Sequence, residues 1–323
     1  MTRHMVAGID GSPGSLAAAR WAARETLLRQ LPLRLLHARP FLPMLLPSSR
    51  GSELRDREEL LPRIESELVR GHPGLQVGSV QVVDTAPAAL VAASEEAELL
   101  VLGARGCGGF AGLPVGSVNL QVAARAYCPV LTVRRPRRSP GRVRVAPSEI
   151  VLGLDARHPT EAALAFAFDY ADRRRAVLRV VHAWAPPDGI ADIGPALDEQ
   201  EVLAEELQIW RKQYPDLEVV QQVVAGHPAG ALVAASAHAE LLVIGRPRAS
   251  GAHRPELGPV ADAVLHHAAT SVALVPRGET FTWPDPGGDY RPQVRTRGHG
   301  ATAGPEQEPE HESSAEGRER SSS

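Results

Sequence analysis

The chain has 323 residues, 43% hydrophobic and 23% charged, with a formal net charge of −3 and two cysteines. The hydrophobic fraction excludes a wholly disordered chain, and two cysteines exclude a disulfide framework or a CxxC zinc module. No apolar run approaches the roughly 20 residues that span a bilayer and MTRHMVAGID lacks an apolar leader core, so a cytoplasmic protein with no membrane partner is expected, of about two domains by length.

The chain begins with a predicted strand, Val6–Ile9, after which Ser12-Pro13 offers a helix cap and a first-turn proline. Leu16, Ala19, Ala23 and Leu27 follow at helical spacing on one face. Leu33–Ala38 predicts the second strand, and Leu54, Leu61, Ile64 and Leu68 a helix over roughly Ser52–Arg70. Val77–Val83 is a third strand, Ala88–Glu96 a helix, Leu99–Leu102 a fourth strand, Val118–Ala126 a helix and Val130–Val133 a last strand. LLVL and VLTV are unbroken apolar runs, as expected of strands covered on both faces. Alternating β and α segments predict an α/β, doubly wound parallel sheet of Rossmann-like type. Ligands then sit beyond the strand ends, just after Ile9, Leu36 and Leu102.

The order recurs. LRLLHARP from Leu33 is matched by LRVVHAWAP from Leu178, and ALVAASEEAELLVLG from Ala89 by ALVAASAHAELLVIG from Ala231. VAGIDGS from Val6 is matched more loosely by VLGLDAR from Val151. The offset is 145 residues for the first and third pairs and 142 for the second, so one unit is duplicated. The expected plan is a domain over 1–135, an Arg/Pro linker over 136–147, a second domain over 148–277 and a disordered tail over 278–323, rich in Pro, Gly, Glu and Ser. From Arg277 onward there are 6 basic and 9 acidic residues, which accounts for the whole net charge. Leu99–Ser148, by contrast, holds 8 arginines and no Asp or Glu. The RRPRR cluster within it reads as a solvated linker rather than a nucleic-acid surface.

Inside that basic stretch, Gly103, Gly106, Gly108, Gly109, Gly112 and Gly116 lie within 14 positions. Glycine lets backbone N–H groups approach an anion, and Gly116-Ser117 opens a helix whose first N–H groups and dipole favour one. With Arg105 and no nearby carboxylate, a polyphosphate site is one reading and a plain surface loop the other. A Walker A loop fails because the single lysine, Lys212, lies far away, and a dinucleotide fingerprint fails because no acidic residue follows before Glu149.

The spacing Gly103-x2-Gly106-x9-Gly116-Ser117 resembles the ATP-binding motif G-2x-G-9x-G-S/T of the universal stress protein family. IDGSPGS after the first strand, HA after the second, ELLVLGARG and CPVLTV resemble that family too, over residues 4–135 and more loosely 148–277. The duplicated arrangement is similar to its tandem-domain members. The resemblance implies ATP as ligand, with Mg²⁺ a compatible companion. It implies Asp10 on the adenine–ribose side, Gly8 and Ile9 along the base, and Ala38 presenting backbone to adenine. It further implies Gly103, Arg105 and Gly106 near ribose and phosphates, and Gly116, Ser117 and Val118 at the phosphates. Asp10 also reads as a turn carboxylate, Ser117 as a plain helix N-cap, and Cys107 as an ordinary loop residue rather than a redox sensor. Family relatives pair through the last strand, so Val130–Val133 is expected to meet Ser271–Val275 within this chain as a pseudo-dimer. Further homo-oligomerisation and a protein partner stay open.

The second copy departs from the motif. Its stretch GRPRASGAHRPELGPV keeps Gly245 and the x9 spacing, but Arg248 replaces the second glycine and Gly258-Pro259 stands for Gly-Ser. Proline removes a hydroxyl and a backbone donor at the helix start, so weak or no nucleotide binding is expected there. Binding of another anion by Arg246, Arg248 and Arg254 is the alternative. Neither copy offers the paired carboxylates of phosphoryl transfer, and His266-His267, adjacent on a helix, do not share a face for a metal. The function expected is a nucleotide-dependent regulator in the stress response, with slow hydrolysis at most. A slow ATPase or adenine-nucleotide hydrolase or transferase, and a ligand-free dimerisation module, are the alternatives.

Overall fold

Alternation of short apolar runs with alanine-rich amphipathic segments produces, in a computed structural model describing residues 3–39, 59–106, 115–134, 148–184, 194–246 and 257–277, two copies of one β/α unit. The first comprises β1 (His4–Gly8), α1 (Pro13–Arg29), β2 (Leu33–Arg39), α2 (Leu60–Gly71), β3 (Val77–Val83), α3 (Ala86–Ala93), β4 (Ala97–Gly103), α4 (Ser117–Arg125) and β5 (Val130–Val133). The second comprises β6 (Glu149–Gly153), α5 (Glu161–Asp172), β7 (Val177–Trp184), α6 (Gly194–Gln213), β8 (Val219–Ala225), α7 (Pro228–Ala235), β9 (Leu241–Arg246), α8 (Pro259–His267) and β10 (Ser271–Pro276). The tail, the Arg/Pro linker, the centre of the glycine loop with Cys107, and the segment from Ser52 expected to begin the second helix lie outside the described residues.

Local chemistry sets the boundaries. Ser12 Oγ accepts from Ser15 N at 3.1 Å and so caps α1, with Pro13 in the first turn. Gln30 ends that helix in the left-handed region at φ 54, and its repeat counterpart Arg175, in the turn after α5, shares the left-handed region at φ 49.

All ten strands form one sheet in the order β3-β2-β1-β4-β5-β10-β9-β6-β7-β8. Pairs within each copy are parallel, and only β5 with β10 is antiparallel, Leu131 facing Ala273. The expected pairing of Val130–Val133 with the last strand is thus present, and it removes two edges that would otherwise be open. Leu131 and Ala273 are counterparts in the two copies, so a pseudo-twofold axis passes between them. One layer of helices, including α1, α2, α5 and α6, shares a continuous apolar core across both copies; α3, α4, α7 and α8 share another on the opposite face.

The buried face of α1 differs from the spacing argument. Leu27 is exposed, while Ala18, Ala19, Ala22, Ala23, Glu25 and Arg29 are buried. The reason is α5 of the other copy. Trp21 stacks on Tyr170 with ring centroids 6.3 Å apart, and Arg29 reaches Asp169 at 2.6 Å. Glu25, 1% exposed, pairs with both Arg29 and Arg174, and the Arg174 guanidinium lies 3.6 Å over the Tyr170 ring. Burial alone would raise the Glu25 carboxyl, but the Arg29 and Arg174 charges overcome it and hold it below the usual range.

Candidate functional site

In the first copy the strand order runs 3-2-1-4-5, so the direction of winding reverses between β1 and β4. A cavity of about 430 Å³ opens at the ends of these strands, a size ordinary for small-molecule sites. Gly8, Ile9 and Asp10 enter it from β1, Leu36 and Ala38 from β2, and Leu102, Gly103, Arg105 and Gly106 from β4 and its loop. Gly116, Ser117 and Val118 close it at the start of α4. All ten residues singled out from the sequence therefore stand around one space.

Hydrogen bonds clasp the loops together. Asp10 Oδ1 accepts from Ser12 N at 2.9 Å, the turn role weighed for this carboxylate, and Ser12 Oγ donates to Arg105 O at 3.3 Å. His37 Nδ1 donates to Ile9 O at 2.7 Å, fixing β2 against the loop after β1.

The glycines divide into two kinds. A Cβ at Gly8 would meet Leu102 at 2.6 Å, one at Gly103 would meet Gly14 C at 2.5 Å, and one at Gly106 would meet Asp10 Oδ2 at 2.4 Å. Backbone packing demands glycine at 103, while a side chain at 8 or 106 would have to displace the end of Leu102 or Asp10. Gly116 is different: its φ of −79° suits any residue, and no protein atom among the described residues lies closer than 3.8 Å to where its Cβ would be. Nothing among the described residues requires glycine at 116, which lines the cavity.

Gly116, rather than Ser117, is the N-cap of α4. Its extended backbone precedes the helix, and its carbonyl accepts the first intrahelical bond from Leu120 N at 3.2 Å. Gly116 N itself is committed to Ala104 O at 2.9 Å. The donors directed at the cavity are thus those of residues 117–119, and no side chain among the described residues caps this helix.

Several lining residues escape a reading by motif. Leu36, Ala86, Leu90, Leu102 and Val115 give the cavity an apolar floor, suited to a flat ring. Asn119 is 3% exposed; its Nδ2 donates to Gly103 O at 3.2 Å and its Oδ1 accepts from Thr132 Oγ1 at 2.9 Å. A lone amide on the apolar face of VNLQVAAR was the available signal. Cys128 is buried, and burial pushes its thiol up to about 12, which leaves it unreactive.

At the matching place in the second copy, a Cβ on Gly245 would meet Thr160 Oγ1 at 2.6 Å, and Pro259 opens α8 without an N–H. Ala261 and Leu274 stand where Asn119 and Thr132 stand in the first copy. Arg157, the counterpart of Ser12, holds Glu199 of α6 at 2.6 Å, and His182 Nε2 meets the same carboxyl at 3.0 Å. The Arg157 guanidinium keeps the Glu199 carboxyl below the usual range. Arg246, offered as an anion ligand, instead bonds to carbonyls of the first copy. Arg248 and Arg254 lie outside the described residues.

A doubly wound parallel sheet with a cavity at its switch point defines an α/β protein of Rossmann-like type. Residues 1–134 and 148–276 each match the universal stress protein family, and this chain belongs to it. A universal stress protein of Mycobacterium tuberculosis (strain ATCC 25618 / H37Rv) is 35% identical over 284 residues, covering 84% of this chain and 96% of its own length. One from Mycolicibacterium smegmatis is 30% identical over 286 residues, with the same two coverages. The crystal structure of a universal stress protein from Archaeoglobus fulgidus DSM 4304 has the same fold, with a TM-score of 0.63 at 18% identity over 85% of this chain and 98% of that one. Among the described residues no helix is long and apolar enough to cross a membrane, and no group of three His, Cys, Asp or Glu stands together as a metal site.

Proposed function

We propose that the first copy binds one adenine nucleotide, ATP, in the cavity between β1, β4 and α4, and that the second copy binds it weakly or not at all. The observation carrying this is Gly116. A glycine that neither backbone conformation nor packing requires, beside an uncapped helix N-terminus, is what close approach of a ligand's phosphates asks for. The apolar floor supports a base at the other end, with Asp10 and Ala38 beside it and Arg105 on the phosphate side. Mg²⁺ would ride on the triphosphate. Occupancy acts by favouring one arrangement of the loops around the site and so biasing a protein partner, a regulator's role in the stress response.

Mass spectrometry of small molecules released from purified protein, joined to calorimetry with added ATP, tests the reading. Retained ATP and a stoichiometry near one per chain are expected. Two equal sites, or no adenine nucleotide bound, would sink it.

A further inference from the structure

Arg246 stands at the end of β9, where the first copy has Ala104, and is 5% exposed. It crosses the junction between copies: Nη1 donates to Ala124 O at 3.1 Å and Nη2 to Ala126 O. These carbonyls end α4, whose other end carries the N–H groups of residues 117–119 facing the cavity. A helix of nine residues is roughly 13 Å long, so whatever fixes one end fixes the direction of the other. The last carbonyls of a helix lack intrahelical partners, and a buried guanidinium both satisfies them and balances the negative end of the dipole. That complements an anion at the positive end of the same helix.

We infer that Arg246 of the second copy is a positioning residue for the first copy's site, holding α4 so that its N-terminus meets the nucleotide phosphates. The inference rests on the nucleotide reading above and adds a regulator to it: the half without an intact motif sets the affinity of the half that has one. Near its start α4 is tied to its own copy, through Asn119 with Gly103 and Thr132. At its end, where Tyr127 N also donates to Ser94 Oγ of the same copy, Arg246 adds a hold from across the junction. The nucleoside end of the cavity is built from β1 and β2, whereas the carbonyls that Arg246 holds belong to α4. The effect therefore falls on phosphates and spares adenosine. By linkage, a bound triphosphate that steadies α4 also steadies Arg246 and the strand carrying it.

The full-length chain and its Arg246→Met and Arg246→Lys variants separate this from a general loss of stability. Calorimetry with ATP and with adenosine, and native-state hydrogen exchange over residues 117–126, are the measurements. With methionine, ATP is expected to bind roughly tenfold more weakly with adenosine unchanged. Exchange in 117–126 is expected to quicken more than elsewhere, and lysine should recover most of the ATP affinity. Arg246→Gln, which keeps one donor, carries the same expectation in smaller measure should the methionine variant not fold. Equal weakening of both ligands, unchanged ATP affinity, or exchange in 117–126 no faster than elsewhere would overturn the inference. If the unaltered chain binds neither ligand, it is the nucleotide reading that fails. The exchange measurement then decides on its own whether Arg246 braces α4.

Discussion

The two copies share a strand order, yet they differ at the place where we propose that phosphates bind. In both, an aspartate bonds to the N–H two residues on, and a histidine in the second strand meets the carbonyl after the first. Those features belong to the fold. What differs is the helix start, Ser117 against Pro259, and the amide network behind it, Asn119–Thr132 against Ala261 and Leu274. Two units can share a scaffold and differ at the cavity because the two are built from different atoms: apolar strand faces hold the sheet, and loop and helix-start groups line the cavity.

The largest expected effect tests whether the copies fold as one body, without which the comparison has no common frame. Glu25→Gln removes the buried carboxylate shared by Arg29 and Arg174, and loss of one partner from a buried ionic network costs about 3–5 kcal/mol. One cooperative calorimetric transition at a lower midpoint is expected; two separate transitions would show independent halves. The pH dependence has a definite sign. The folded Glu25 pKa lies below its unfolded value, so its contribution is complete above the ordinary glutamate range and vanishes as pH falls through the folded value. The variant should lose that part of the acid-side slope.

A matched pair of substitutions comes next. Among the described residues neither Gly116 nor Gly258 is hemmed in or held at positive φ, but each is a helix N-cap, so phenylalanine at either should cost about 1 kcal/mol of stability. Gly116→Phe is expected to weaken ATP binding at least about a hundredfold, or 2.7 kcal/mol, while Gly258→Phe leaves it alone. If each variant removes one of two sites by calorimetry, the contrast between copies collapses. The smallest effect belongs to Pro259→Ser. Restoring one donor while Thr160 still packs on Gly245 should leave the stoichiometry at one and lower stability by about 0.4–1 kcal/mol through the freer unfolded chain. A second ATP bound to that variant would mean the proline alone closed the site.

Most of this architecture was legible in the residues. The duplicated strings set the tandem plan, and continuous runs such as LLVL marked central strands, because both rest on short-range pattern. Ten of the residues around the cavity were named from the sequence because glycine spacing and strand ends are local features and the family resemblance assigned roles to them. The burial of Glu25 and Arg29 was not, since it is imposed by a helix 145 positions further on and only after the two sheets have joined. Leu27 was misread for the same reason: helical spacing finds a stripe, but the neighbour across the junction decides which stripe is covered. Asn119 and Arg246 likewise owe their meaning to partners distant in sequence.

The pseudo-axis between Leu131 and Ala273 has one more consequence. In a dimer of identical chains, a residue on the axis must face its own copy, so large meets large or small meets small. Here leucine faces alanine. Nearby, one carboxylate, Glu25, is flanked by Arg29 and by that arginine's own counterpart, Arg174, while the counterpart of Glu25 is Tyr170. Exact symmetry would have placed two acids at that seam. Because both copies lie on one chain, the junction is a lock with distinct halves, one that dilution cannot open.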